Sequence, residues 1–184
     1  AMDASGHLED GLRIFSRFEG KDERYLFPQP FSQRVVGSLP YEKMIAAYKN
    51  FKVFLNVNSV VDSPSMCSRR VFELLASGTP VVSTWSKALE VTFPSTELVL
   101  VDSREEATLS IRALVNSPEL RDRLVHRAQR RIWESHTYTT RAMEILERVS
   151  PSECEGLKTK PKVSVICSTA VSYTHLRAHE TRGN

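Results

Sequence analysis

Residues 65–84 read SMCSRRVFELLASGTPVVST, and Glu73 stands there inside an apolar run, with Val71 and Phe72 before it and Leu74, Leu75 and Ala76 after it. An ionised carboxylate offers two acceptor oxygens and no donor. Ser65, Ser68, Arg69 and Arg70 precede it and supply hydroxyls and cations where a helix would begin. A helix amino terminus presents unpaired N–H groups and a partial positive charge, which together suit a phosphate. At helical spacing Val71, Phe72 and Leu75 make a core side with Ser68 above them, while Arg69, Arg70 and Glu73 share another face. Two readings follow from the residues: a surface ion pair that contributes little, or a carboxylate that lines a site.

The elements that would hold this segment can be read on either side of it. Leu12-Arg13-Ile14-Phe15 is a short strand pattern, and LFPQPFSQ, with prolines at 28 and 30, reads as a loop. Val35-Val36-Gly37 leads into SLPYEKMIAAYKN, where Met44, Ile45, Ala47 and Tyr48 recur at helical spacing after an opening at Ser38 or Pro40. Val53-Phe54-Leu55-Asn56-Val57 is apolar enough for a strand buried on both faces. NSVVDSPSMC then reads as a loop, Gly78 stops the helix that carries Glu73, and Pro80 to Thr84 is the next strand. Leu98 to Val101 gives another. Alternation of strand and helix with short connections predicts an α/β fold, a Rossmann-like parallel sheet with flanking helices, followed by carboxyl-terminal helices.

Those later helices carry their own signals. Ser103 with Glu106 makes a capping box, Ser117-Pro118-Glu119 opens a helix running to about Ser135, and a third covers roughly Thr139 to Val149. The second carries an apolar stripe, Leu120, Leu124, Ala128 and Ile132, with five arginines around it. A solvated amphipathic helix packed on the sheet is the preferred reading of it, and a peripheral contact with acidic lipid or nucleic acid is the alternative. His136 reads as a helix-junction residue rather than a base.

Ligands of an open parallel sheet bind beyond the carboxyl ends of its strands. Two such ends are visible here, NVNSVVDSPSMCS and TWSKALE. Trp85, just past a strand end, is a core residue or a wall of a site. Cys67 stands near the helix amino terminus, where a thiol pKa is expected to fall, yet no base at readable spacing makes it a nucleophile.

Composition bounds the function. A chain of 184 residues with a 41% apolar and 26% charged composition can build a real core. Net charge is +3, and basic residues interleave with acids, so nucleic acid is not an expected partner. Three cysteines, Cys67, Cys154 and Cys167, fit no zinc spacing and cannot all pair, which favours a reducing, cytoplasmic setting. No apolar run reaches the ~18 residues that would span a bilayer, and the amino terminus lacks the plan of a signal peptide. Residues 151–161 read as a linker and VSVIC at 163–167 as an isolated strand. The last residues, VSYTHLRAHETRGN, resemble adapter read-through, so 171–184 are expected to be non-native, and the i, i+4 pair His175 and His179 is not read as a metal site.

VFELLASGTPVVST resembles the donor-binding phrase of the GT-B glycosyltransferases, in particular the group-1, family 4-like enzymes: a glutamate, a small and apolar stretch, glycine, a Thr-Pro turn and a valine-rich strand. Glu73, Gly78, Thr79, Pro80, Val81 and Val82 occupy those places. VVGSLPYEKMIAAYKNFKVFLNVNS is similar to the upstream part of the same domain, and RRVFE is similar to the spore-maturation CgeB-like subgroup. Residues 1–150 would then be the carboxyl-terminal, donor-binding half of a GT-B fold, without its amino-terminal acceptor half, so this chain is not expected to catalyse transfer alone. PKVSVICSTA resembles the first strand of a family 2 glycosyltransferase, which would begin a second, truncated domain at 162–170.

The resemblance implies a nucleotide-diphosphate sugar as donor and substrate, with no cofactor and no metal, and transfer of a hexose to an acceptor. Glu73 would bond the ribose hydroxyls, a role its acceptor oxygens suit. The loop from Asp62 through Ser65, Met66 and Cys67 to Ser68 would face the sugar and diphosphate. Gly37, Ser38 and Tyr41 would approach the nucleobase, and Arg70 would pair bidentately with phosphate. The sequence departs from the family in one respect: Ser65 stands eight residues before Glu73, where a second glutamate is usual, and Asp62 is the alternative for that role. Arg13 and Arg17 are loose candidates for the basic pair beside the diphosphate. The rival reading is a non-catalytic, flavodoxin-like binding or regulatory module. A receiver-type version would want acidic strand ends, and Asn56, Asn58, Ser59 and Thr84 stand there instead.

Overall fold

The computed structural model describes residues 11–16, 18, 23 and 26–152. The expected linker beyond Ser152, the strand at 162–170, the tail, Arg17, Cys154, Cys167, His175 and His179 all lie outside them. The chain divides into two units, Ala1–Glu144 and Ile145–Asn184, and the sheet and its site belong to the first.

Three strands, β1 (Phe54–Asn56), β2 (Val81–Thr84) and β3 (Val99–Val101), form a parallel sheet in sequential order. Phe54 pairs with Val81 and Val82 with Val99. Between and beyond them run α1 (Tyr41–Tyr48), α2 (Arg69–Ala76), α3 (Lys87–Thr92), α4 (Arg104–Asn116), α5 (Pro118–Ser135) and α6 (Tyr138–Val149). This is the α/β architecture expected from the alternation. The predicted strand at 12–15 is reduced to a bridge: Ile14 pairs in parallel with Val35, and Ser16 N–H donates to the Gly37 carbonyl at 3.0 Å.

Period-two alternation divides the core. Val81 joins Val71, Leu74, Leu75, Leu89, Phe93 and Leu98 on one side of the sheet. Its neighbour Val82 faces the other side, with Val101, Ala107, Ile111, Leu114 and Leu124. Helix α5 serves both sides, placing Leu124 in the second cluster and Ala128 and Ile132 in the first. The apolar stripe read from the sequence is therefore a packed face. One expectation is corrected at α2: Leu74, fully buried, belongs to the core side with Val71 and Leu75, while Phe72 is only half-buried. Removing Leu74 beyond its Cβ would cost about 2–5 kcal/mol by lost transfer energy and cavity formation.

Local chemistry sets the helix ends. Ser103 and Ser117 accept from the N–H groups of Glu106 and Leu120. The Glu106 carboxylate reaches back to Asp102 N–H at 2.9 Å, one residue earlier than a capping box requires. Ser86 caps α3, so TWSKALE, read from the sequence as a strand end, is a short connection entering a helix. Gly78, at φ +78°, ends α2 in a Schellman arrangement: Thr79 N–H donates to Leu74 O and Gly78 N–H to Leu75 O. The Thr79 hydroxyl, buried, then donates to the Tyr48 carbonyl at 2.6 Å and ties the end of α1 to that turn. Among the described residues no helix is long and apolar enough to cross a membrane.

Candidate functional site

Two helices meet at Glu73. Helix α1 begins right after Gly37-Ser38-Leu39-Pro40, with Pro40 as its cap, so Tyr41 is its first residue. Helix α2 begins after the long connection from β1 and carries Glu73 one turn in. The Tyr41 hydroxyl donates to Glu73 Oε1 at 2.8 Å, across 32 residues of sequence. Arg69 Nε reaches the same oxygen at 2.8 Å, and its guanidinium lies over the Tyr41 ring, 5.8 Å from the centroid. Glu73 is largely enclosed, with 17% of its side chain exposed, whereas Arg69 is 71% exposed. The carboxylate is thus held at a protein surface with one face toward solvent.

Charge follows this geometry. The hydrogen bond to Glu73, then burial and the carboxylate's charge, raise the Tyr41 phenol above its ordinary pKa of 10.0. Glu73 likewise raises the Arg69 guanidinium. Tyr48, two turns along α1, is raised mainly by burial, with Arg70 and Arg69 opposing. Arg70 is exposed and its charge is felt at Tyr48, so the ion pair anticipated on this face is made by Arg69 rather than Arg70.

The connection from β1 to α2, residues 57–68, is fastened at both strand ends. Asn58 N–H donates to Thr84 Oγ1 at 2.9 Å, and its side-chain amide donates to Thr84 O at 2.6 Å and to Ser83 Oγ at 3.1 Å. Asn56, buried, donates to Ser83 Oγ at 2.9 Å and to Asn58 Oδ1 at 3.1 Å. Lys87 N–H donates to Val61 O, which joins the middle of the connection to the start of α3. The Ser63 hydroxyl accepts from Ser65 and Met66 N–H at 3.4 and 3.1 Å, folding the next stretch into a local turn. Asp62, Ser65 and Met66 are exposed on that turn. At the start of α2, Ser68 makes no side-chain cap bond, while its backbone carbonyl accepts from Val71 N–H at 3.0 Å.

The structure thus brings Tyr41, Arg69 and Glu73 together, with Gly37 and Ser38 on the segment leading to them. Asp62, Ser65, Met66 and Cys67 lie on the connection before α2. Cys67 packs against the core as a small packing residue, and burial raises its thiol where a helix terminus alone would lower it. His136 closes α5, its backbone N–H donating to Ile132 O. Its ring meets Phe72 and Phe93, and Nδ1 meets Arg141 at 2.6 Å, as befits a junction residue. The Asn56–Asn58–Ser83–Thr84 network and the Thr79 tie were not foreseen. The clustering of Asn, Ser and Thr at the two strand ends was the available signal.

Two surface cavities lie elsewhere. One of about 380 Å³ is lined by Glu97 and α5 residues including Arg127, Arg130 and Arg131. The other, about 250 Å³, lies among Lys49, Lys52, Pro80 and Arg121. In the first, Arg131 pairs with Glu97 and Arg130 with Glu134, so much of its charge is already matched. Among the described residues no group of three His, Cys, Asp or Glu stands close enough to hold a metal ion.

Residues 8–147 match a protein family described as glycosyl transferase-like. Among solved structures the chain is similar to sucrose-phosphate synthase from Thermosynechococcus elongatus, with a TM-score of 0.51 and 21% sequence identity. That likeness is one of fold. It covers 66% of this chain and 31% of the other, so the chain corresponds to less than a third of that structure's length. No curated protein matches the chain.

Proposed function

The chain belongs to the glycosyl transferase-like family, and from that we propose that its sheet unit is the donor-binding half of a GT-B glycosyltransferase that takes a nucleotide-diphosphate sugar and transfers a hexose. The observation that carries this reading is the Glu73 carboxylate, held at the surface where α1 and α2 meet, beside the first turn of α2. A partly enclosed carboxylate with oriented oxygens is an acceptor for a ribose diol. The diphosphate would lie at the first turn of α2, where the Ser68 side chain caps no N–H group and Arg70 adds a cation. Fixed dipoles and guanidinium charge would there stabilise the leaving nucleoside diphosphate without a divalent ion.

In this reading Gly37 and Ser38 meet the base, and residues Asp62 to Cys67 face the sugar and phosphates. The donor would occupy one wall, and a second GT-B half would bring the acceptor. The parent enzyme, its acceptor and any membrane contact belong to the same proposal. The rival, a flavodoxin-like binding module, loses ground to the family match.

Calorimetric titration of the chain with UDP, GDP and their hexose conjugates, in metal-free buffer, tests the reading. Binding in the micromolar to millimolar range is expected, with Glu73→Ala weakening it about tenfold to a hundredfold, as for a lost hydrogen bond to a charged group. Absence of binding at millimolar ligand, or unaltered affinity in Glu73→Ala, would count decisively against it.

A further inference from the structure

We infer that Tyr41 is a positioning residue that sets the sugar specificity of this site, holding the Glu73 carboxylate so that it distinguishes ribonucleoside from deoxyribonucleoside diphosphates. The inference rests on the donor reading and adds to it a residue on a different helix. Its basis is the way the carboxylate is used. The Tyr41 hydroxyl donates to Oε1 and Arg69 Nε forms an ion pair with that same oxygen, each at 2.8 Å. An ionised carboxylate has two oxygens and about four acceptor directions. Both contacts crowd Oε1 and leave Oε2 as the oxygen to meet a sugar hydroxyl. A ribose hydroxyl can therefore bind without displacing either protein donor.

Orientation is the second part of the argument. A glutamate side chain turns about three bonds, and a ligand that must arrest them loses affinity in doing so. Here the arrest precedes binding. Tyr41 holds the carboxylate from α1, Arg69 holds it from α2, and the Arg69 guanidinium over the Tyr41 ring closes the three-residue ring of contacts. The phenol, kept protonated by its bond to the carboxylate, remains a donor through the neutral range. A phenylalanine would keep the ring beneath Arg69 but release Oε1, so the hydroxyl alone can be tested. Tyr41 is exposed and makes no core contact that its hydroxyl supports, so Tyr41→Phe is expected to fold.

The experiment compares the chain, Tyr41→Phe, Glu73→Ala and the double variant in metal-free titrations with UDP and GDP and their 2′-deoxy and 3′-deoxy counterparts. The unaltered chain should favour at least one ribo form about tenfold over a deoxy form. Tyr41→Phe should weaken the ribo form about three- to tenfold and the deoxy form little, so that the ratio falls. The double variant should bind no worse than Glu73→Ala, since the hydroxyl acts through that carboxylate. A general structural defect would weaken ribo and deoxy forms alike and leave the ratio intact. If Tyr41→Phe retains the ratio, or binds the ribo form as tightly or more tightly, while Glu73→Ala abolishes the preference, Tyr41 does not position the site and only this inference falls. If no nucleotide binds, if the unaltered chain shows no preference, or if Glu73→Ala changes nothing, the ribose role of Glu73 falls and this inference with it.

Discussion

The polar cluster at the strand ends and the polar cluster at the α1–α2 junction use similar groups in opposite ways. Asn56, Asn58, Ser83 and Thr84 are buried or half-buried and spend their bonds on one another and on the backbone. Their role is to close the carboxyl ends of β1 and β2 and launch the connection to α2 from a fixed point. Tyr41, Arg69 and Glu73 also contact one another, but at the surface, and with one hydrogen bond and one ion pair on a single carboxylate oxygen. A satisfied network in the interior rigidifies, whereas an oriented acceptor at the surface can take a further partner. The difference lies in burial and in where acceptor capacity is left over.

The largest effect that would break this comparison is at Asn56. Asn56→Asp replaces the amide that donates to Ser83 and Asn58 by an acceptor, and places a carboxylate at a position with 4% exposure. Stability at pH 7 is expected to fall by on the order of 3 kcal/mol, read by urea unfolding. Burial would raise the folded pKa of the new carboxyl above its unfolded value near ~3.9, so the penalty should vanish below that value and grow as pH rises. An undiminished midpoint at pH 7 would mean that the network is not the closed structural unit described.

Gly78→Ala comes next. The residue has φ +78°, and an added Cβ would stand 2.9 Å from the Gln129 side-chain nitrogen, the end of a flexible chain. Backbone strain of about 1–2 kcal/mol is the expected cost, with the Gln129 bond to the Ala76 carbonyl loosened. Because this turn fixes where α2 ends, the nucleotide affinity should fall too if Glu73 reads a ligand.

A smaller effect is expected at His136. Burial, together with the charges of Arg141 and Arg131, lowers its pKa from 6.5, while Glu144 and Glu97 act the other way. The folded state therefore favours the neutral ring, whose Nδ1 can accept from Arg141. The associated stability is present above pH 6.5 and declines as pH falls through the depressed folded value, because the unfolded chain then binds more protons. Melting midpoints of the chain and of His136→Gln, compared between about pH 5 and pH 7.5, should converge on acidification.

The smallest effect sharpens the contrast. Glu73→Ala should move the melting midpoint by about 2 °C or less, since surface ion pairs contribute little. If that substitution destabilises the chain as much as Asn56→Asp, the two clusters are structurally equivalent and the surface cluster has no claim to a separate role.

Much of the fold was legible because its signals are local. VFLN, VVST and LVLV are apolar enough to be strands, Ser103 and Ser117 precede helices they cap, and Gly78 stops α2. Helix α3 was equally marked, by Ser86 ahead of Lys-Ala-Leu-Glu, but its six residues make a weak periodic signal beside a loop expected to bind ligand. Cys67 shows where a local rule gives the wrong sign: a helix terminus lowers a thiol pKa, and burial, set by distant residues, overrides it. Leu74, which the spacing alone does not assign to the core side of α2, is fully buried there beside a half-buried Phe72, where α5 packs on the helix.

By itself the sequence determined the α/β alternation, the helix stops and starts, and the phrase around Glu73 that resembles a donor site. These depend on interactions within a few residues, which spacing can express. Only the tertiary structure decided that Tyr41 reaches Glu73 across 32 residues, that Arg69 is the arginine paired with it, and that Thr79 ties α1 to the turn after α2. Those pairings depend on how helices seat against the sheet, which the packing of two core clusters fixes.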